Sequence, residues 1–357
     1  LARDCRFAFN PDAQKPHLSR EPMPEHGLVL GKFMPPHRGH LHLVDFASQI
    51  TPDLTVVVGS LAAEPISGQL RHAWMQQLYP ELRVLHLTDE NPQTPDQHPD
   101  FWEIWKASLQ RVAGRDIDLL FASEPYGARL ALALGATFVP TNGGRDLVPI
   151  SGSEIRNNPL AYWSFLPTNV QAYYAKRILL FGPESTGKTT LARMLAQEFS
   201  GTFVPEYARS YLEGREVEFE LTDMVMIARG QRASEDALAR AGRPLLFCDT
   251  DALTTALWSA ELFGSVPPVV RELARLERYD LILLLDVDVP WVEGSLRLRP
   301  EGREDFLARC RQAMEEQGRD YVLVSGSWDE RFRTAKAAVA SLLSGNSSSV
   351  GEGVALP

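Results

Sequence analysis

Cysteine is scarce: three residues in 357, namely Cys5, Cys248 and Cys310, set far apart. That leaves neither a disulfide framework nor a metal knuckle, both of which need closely spaced ligands. It fits a reduced, cytoplasmic setting. Long apolar runs are also missing. Stretches such as Leu281 to Leu285 are too short to span a bilayer, and no signal-peptide pattern opens the chain, so no membrane insertion is expected. Positive charge is in deficit, with 36 Lys and Arg against 46 Asp and Glu and a net charge of −10. Nucleic acid is not an expected partner of so acidic a chain, although a pocket for phosphates needs only a few cations. Short-period repeats are absent, which excludes solenoids and propellers. The length and a hydrophobic share of 44% leave room for two ordinary cores.

Strand and helix patterns alternate through both halves. In the first, strands are expected at Leu28–Leu30, Leu54–Val58, Arg83–Leu87, Ile117–Phe121 and Thr137–Val139. Helices are expected at Leu41–Ile50, Gln69–Leu78, Phe101–Val112 and Ala128–Leu134, with a loop over Thr88–Pro99. Short helices over Ser153–Asn157 and Asn169–Lys176 close this half. In the second, strands are expected at Ile178–Phe181, Thr202–Val204, Leu245–Cys248, Leu281–Leu285 and Tyr321–Val324. A long helix is expected at Leu221–Arg240 and a last one near Glu330–Leu343. This rhythm predicts two α/β domains, each a doubly wound parallel sheet. The expected divisions are a polar arm over 1–26, a first domain over 27–174, a second over 175–343 and a Ser/Gly-rich, disordered tail over 344–357. Met23, just ahead of the first strand, is a candidate functional start.

The most specific signal lies mid-chain. The apolar run Ile178–Phe181 leads into Gly182-Pro183-Glu184-Ser185-Thr186-Gly187-Lys188-Thr189-Thr190 and then into helical spacing. Strand, glycine loop and helix together make a phosphate-binding loop. Gly182 and Gly187 let successive N–H groups face an anion at a helix N-terminus, Lys188 would reach the β- and γ-phosphates, and the Thr189 hydroxyl would sit on Mg²⁺.

The first half carries its own cluster. Gly31-Lys32-Phe33-Met34-Pro35-Pro36-His37-Arg38-Gly39-His40 follows the first strand, where doubly wound sheets bind nucleotides. His37 and His40, three residues apart, could donate to phosphate oxygens as a leaving pyrophosphate gains charge. A second cluster, Ile150-Ser151-Gly152-Ser153-Glu154-Ile155-Arg156, offers hydroxyls at a helix start and a forked cation, or else a plain capped helix.

These two clusters resemble the H-x-G-H and I-S-x-T-x-x-R signatures of the adenylyl- and cytidylyltransferase superfamily, most fully those of nicotinamide mononucleotide (NMN) adenylyltransferases. Such a domain directly before a phosphate-binding-loop kinase resembles the bifunctional NadR-type family, which joins this transferase to a ribosylnicotinamide kinase. The resemblance covers roughly 27–343 and includes Leu70-Arg71-His72-Ala73-Trp74, Phe101-Trp102-Glu103-Ile104-Trp105, Ala122-Ser123-Glu124-Pro125-Tyr126-Gly127 and Glu206-Tyr207-Ala208-Arg209. Departures are Ser153 in place of Thr, Thr141-Asn142-Gly143-Gly144-Arg145 without an Asp before the Arg, and Gly294-Ser295 in place of Asp-Gly. The helix-turn-helix that some members carry has no counterpart in residues 1–26.

The resemblance implies a Rossmann-like nucleotidyltransferase followed by a P-loop kinase, using ATP and Mg²⁺ to convert nicotinamide riboside to NMN and NMN to NAD. In that reading Gly31, Lys32, Phe33, His37, His40, Ser151, Ser153 and Arg156 hold the triphosphate of the adenylyl donor. Trp102 and Trp105 share a helix face that could stack on the pyridinium or pack in the core. Glu206 would take the proton of the nucleoside hydroxyl and Arg209 would hold substrate, while Asp249 would organise Mg²⁺ with Thr189 or serve as the base itself. Asp251 could simply cap a helix. The arginines of Trp291–Arg303 fit either a closing lid or a solvated loop. Rival readings are an adenylyltransferase with a nucleotide-sensing kinase-like half, a nucleotide-responsive regulator, and a transferase for another acceptor. The oligomeric state stays open.

Overall fold

The computed structural model describes residues 26–141, 150–213, 219–292 and 302–344. The arm with Met23, the Asn142–Arg145 stretch, Gly294 to Arg299 and the C-terminal tail lie outside these residues. The chain groups into two compact units, Leu1–Gly152 and Ser153–Pro357.

The first unit alternates β1 (His26–Gly31), α1 (Arg38–Ile50), β2 (Asp53–Gly59), α2 (Gly68–Leu78), β3 (Arg83–Leu87), α3 (Phe101–Ala113), β4 (Leu119–Ala122), α4 (Tyr126–Leu134) and β5 (Thr137–Pro140). The five strands are all parallel, in the order β3-β2-β1-β4-β5. The apolar runs of β1, β2 and β4 are buried on both faces, as parallel strands covered by helices must be. Successive residues feed opposite cores. Leu28, Val57 and Leu120 pack on one side, and Val29, Val56, Val58 and Phe121 on the other. After β3 the chain returns to the far side of β1, so the carboxyl ends of β1 and β4 flank the point where the strand order reverses. The segment Gly31–His40 leaves the sheet there.

The second unit holds α5 (Gly152–Asn157, which starts one residue earlier), α6 (Thr168–Tyr174), β6 (Lys176–Phe181), α7 (Lys188–Glu198), β7 (Thr202–Val204), α8 (Tyr207–Leu212), α9 (Leu221–Ala239) and β8 (Leu245–Asp249). It continues through α10 (Ala252–Phe263), α11 (Pro268–Leu276), β9 (Leu281–Leu285), α12 (Arg303–Glu316), β10 (Val322–Val324) and α13 (Trp328–Leu343). Its sheet is parallel too, in the order β10-β9-β6-β8-β7. Strand β6 is central, and the loop after it opens between the ends of β8 and β9. The segment from Ser153 to Tyr174, expected to close the first domain, groups with this unit. Trp163 Nε1 donates to Gly242 O at 2.7 Å, Gln171 Nε2 donates to Trp163 O at 2.9 Å, and Ala175 joins the core beneath α9. Helix α6 also ends earlier than its pattern: Lys176 already belongs to β6, and its N–H donates to Pro244 O at 2.9 Å. Two parallel α/β sheets result, as the alternation predicts.

Candidate functional site

In the second unit, β6 delivers the chain into a loop whose glycines are required by geometry. Gly182 has φ +132°, and a Cβ there would lie 2.8 Å from Leu285 O. Gly187 has φ +89°, and its Cβ would strike the Trp328 ring at 2.4 Å. Ser185 takes a left-handed φ of +57° and is braced by the Val292 N–H, which donates to its Oγ at 2.8 Å. Thr186 is fully buried and turns its hydroxyl onto Pro183 O at 2.8 Å, so only its backbone can meet a ligand. Lys188 opens α7 and directs Nζ back over the loop, donating to the carbonyls of Gly182 and Pro183 at 2.9 and 2.7 Å. Arg303 donates to Val289 O and Ser185 O from beside Trp291, so it braces this loop's backbone.

Asp249 ends β8 next to this loop because Leu180 and Asp249 are register partners. Its Oδ2 accepts from the Thr189 hydroxyl at 2.5 Å, and its Oδ1 is buried with no hydrogen-bond partner among the described residues. Burial pushes the Asp249 carboxyl up to about 6; the Lys188 charge opposes this and the Glu206 charge adds to it. One buried carboxylate oxygen in want of a partner, beside a hydroxyl at the first turn of the loop helix, suits Mg²⁺. That ion takes one or two protein oxygens and completes its shell with phosphates and water. Among the described residues no cluster of three or more His, Cys, Asp or Glu side chains could hold a metal, so an all-protein cage is not the alternative.

Glu206 leaves the neighbouring edge strand β7 and accepts from Arg209 Nη2 at 3.0 Å. Both residues line a cavity of about 380 Å³ that also touches Glu184, Ser185, Gly187, Lys188, Thr189 and Thr190. Its far wall is apolar, with Phe219, Met224, Ile227 and Trp258. That size and lining suit a small ligand with one flat apolar part and one end for chemistry. Asp251 does cap a helix: its Oδ1 accepts from Thr254 N and Thr254 Oγ1, both at 2.8 Å.

In the first unit, the segment after β1 turns back into the sheet before it reaches α1. Phe33 is fully buried at φ +47°, and its ring fills the place a Cβ on Gly31 would need, 3.0 Å away. Gly31 therefore serves Phe33, and Phe33 can offer a ligand only its backbone. His37 caps α1, its Nδ1 accepting from the Gly39 N–H at 3.2 Å, which leaves the proton of the neutral ring on Nε2. The His37 and His40 rings lie 3.8 Å apart, and Phe33 meets His40 edge-on at 5.0 Å. Burial and the adjacent His37 hold His40 well below the usual imidazole range, so at neutral pH it is an uncharged donor. Lys32 pairs with Glu64 at 2.9 Å and is about half exposed.

Trp102 and Trp105 both pack against the core beneath α3, while Trp105 Nε1 donates to Pro92 O at 2.8 Å. The Arg129 guanidinium stands 5.7 Å over the Trp102 ring, so that face already carries a cation. Ser151 precedes α5, and Arg156 Nη2 donates to Ser153 Oγ at 3.0 Å within that helix, in the second unit.

Three residues that hold these loops were given no role by the sequence, although Arg71 lies in one of the stretches that carry the resemblance. Arg71 and Arg331 are the largest fully buried side chains. Gln231, on α9, is likewise buried and lines the cavity. A serine cap four residues ahead of each arginine, Ser67 and Ser327, is the local signal that could have flagged them.

These features define a protein of two parallel α/β units, the second a P-loop NTPase domain. The AAA domain family matches residues 177–331. Two curated relatives, each named trifunctional NAD biosynthesis/regulator protein NadR, come from Escherichia coli (strain K12) and Salmonella typhimurium (strain LT2). Each is 29% identical over 331 residues, covering 86% of this chain and 80% of the relative. Among solved structures, NadR protein in complex with NR superposes with a TM-score of 0.75, and NadR protein in complex with NAD and AMP-PNP with 0.73. Each is 22% identical and covers 90% of this chain and 96% of the other, a likeness of fold. The similarity to NadR proteins thus runs over most of the chain, in sequence and in fold. No helix among the described residues is long and apolar enough to cross a membrane.

Proposed function

We propose that the chain makes NAD in two steps, phosphorylating nicotinamide riboside in the second unit and adenylating the resulting NMN in the first. The observation that carries this reading is the single cavity in which the loop residues Lys188 and Thr189 meet Glu206 and Arg209. A phosphate loop alone marks a nucleotide-binding protein; a carboxylate facing it across an acceptor-sized cavity marks a kinase. The naming of the curated relatives for NAD biosynthesis supports the choice of substrate.

In the second unit ATP lies on the loop, with Lys188 toward its β- and γ-phosphates. Thr189 and Asp249 would hold Mg²⁺, which when bound neutralises charge on the phosphates. Asp249 is buried beside Thr189, whereas Glu206 is partly exposed and faces the cavity, so Glu206 is the better placed to take the acceptor proton. The riboside 5′-oxygen attacks the γ-phosphorus, its proton passes to Glu206 and ADP leaves. In the first unit the NMN phosphate attacks the α-phosphorus of a second ATP in line and pyrophosphate leaves. His37 and His40, supported by Lys32 and Ser151, donate to the oxygens on which charge builds.

Purified protein is incubated with nicotinamide riboside, ATP and Mg²⁺, and NMN and NAD are followed by chromatography. The wild-type chain makes NAD, Lys188→Ala makes neither product from the riboside, and His40→Ala stops at NMN. A chain that converts added NMN but ignores the riboside would overturn the kinase assignment alone.

A further inference from the structure

Glu206 and Asp249 stand at the ends of neighbouring strands, β7 and β8, and each is followed by a residue that one side chain grips. Gln231 Oε1 accepts from the Tyr207 N–H at 2.9 Å, and Gln231 Nε2 donates to Thr250 O at 3.3 Å. Thr250 is a non-glycine residue at φ +74°, so its carbonyl points where ordinary strand geometry would not send it. Gln231 is 2% exposed, and its amide spends both its acceptor and a donor on backbone.

The neighbouring residue makes the same connection by shape. A Cβ on Gly230 would lie 2.1 Å from the Tyr207 ring, so α9 offers a glycine notch for the ring and, one residue on, an amide for its N–H. Strand β7 has three residues and sits at the sheet edge, which leaves the start of α8 little other anchorage.

We propose that Gln231, with Gly230, is a positioning device for phosphoryl transfer: it clips the chain after Glu206 to the chain after Asp249 and sets the separation of the two carboxylates. This rests on the kinase reading of the cavity. Gln231 acts through Glu206, because its amide is committed to the backbone of Tyr207 and Thr250. The spacing matters because a base displaced by about 1 Å can cost on the order of 100-fold in rate.

The test uses the full chain and follows riboside phosphorylation in the wild type, Gln231→Met, Gly230→Ala, Glu206→Gln and the Gln231→Met/Glu206→Gln double variant. Methionine keeps the length of the side chain and removes both hydrogen bonds; Gly230→Ala leaves Gln231 in place and unseats Tyr207. Both single changes should lower kcat on the order of 10- to 100-fold with KM for riboside and ATP held. In the Glu206→Gln background Gln231→Met should cost nothing more, because its effect runs through the residue already lost. Three outcomes overturn the inference alone: kcat kept in Gln231→Met, a riboside KM that rises at constant kcat, or losses that add in the double variant. A wild-type chain that does not phosphorylate the riboside overturns the kinase reading and the inference with it, whereas a Glu206→Gln variant as fast as wild type overturns Glu206 as the base, and so the inference, while the kinase reading stands.

Discussion

Arg71 and Arg331 repeat one construction, each in its own unit. Each is fully buried in the first turn of a helix capped by a serine, Ser67 or Ser327, and each donates from Nε to the carbonyl five residues back, Ile66 or Gly326, at 3.0 Å. From Nη1 each reaches the loop that follows the first strand of its own unit, Lys32 O at 2.5 Å in one and Thr186 O at 3.1 Å in the other. A strand-end carbonyl, Gly59 or Asp286, and a carboxylate, Glu64 or Asp288, take the remaining donors. A guanidinium suits this place because its donors lie in one rigid plane and can serve several chain ends at once.

Arg331→Lys should therefore damage the second unit while leaving the first intact. The ammonium keeps the charge but cannot bridge Gly326, Thr186 and Asp286 together. A buried charge network broken in this way costs on the order of 3 kcal/mol, or a fall of roughly 6–12 °C for a unit of this size. Calorimetry should show one transition lowered, with riboside phosphorylation lost and NMN adenylation kept. Equal loss of both activities would show that the arginine serves the chain as a whole.

Thr189 and Asp249 make a second prediction. The hydroxyl is bonded to Asp249 Oδ2 and opens toward the phosphate loop, so Thr189→Ser should keep phosphoryl transfer within a few-fold. Thr189→Ala should raise the Mg²⁺ concentration needed for half-maximal rate and lower kcat by about 100-fold or more. A Mg²⁺ titration of the three proteins decides it. If Thr189→Ala keeps the wild-type Mg²⁺ dependence, that hydroxyl holds no metal.

The strand–loop–helix segments of the two candidate sites were legible because each is local. A strand, a glycine pattern and a helix lie within a dozen or so residues at Ile178–Leu191 and again at Leu28–Leu41, and the sheets built around them follow the expected alternation. What holds the loops was not legible. Arg331 meets Thr186 across 145 positions and Arg71 meets Lys32 across 39, contacts that no local spacing encodes. Helical spacing put Trp102 and Trp105 on one face but could not show that Arg129 covers one of the rings. Nor could it tell that Phe33 points into the core, since that depends on a left-handed backbone at a non-glycine residue.

His40 makes the third prediction. Its burial against His37 keeps it neutral, so in the adenylation proposed for the first unit this ring works without a second proton to lose. Adenylation of NMN should run without a limb near pH 6.5 assignable to His40. His40→Ala should lose about 100- to 1,000-fold in kcat, the scale of one lost donor to a developing charge. A rate profile that collapses as His40 deprotonates near neutrality would show that the charged ring is the working form.

The fourth prediction concerns the cost of holding Asp249 ready. An unfolded aspartate titrates near 3.9, whereas burial lifts Asp249 to about 6 in the fold. The folded state thus binds this proton more tightly than the unfolded chain. That contribution to stability is complete below about pH 4 and is lost as pH rises through 6. At pH 8 the ionised carboxylate therefore strains the fold by roughly 2–3 kcal/mol. Asp249→Asn keeps an acceptor for the Thr189 hydroxyl and cannot ionise. Without nucleotide or Mg²⁺, it should melt above the parent at pH 8 and close to it near pH 4.5, while phosphoryl transfer is abolished. A melting difference that is the same at both pH values would mean that the carboxylate carries no such strain.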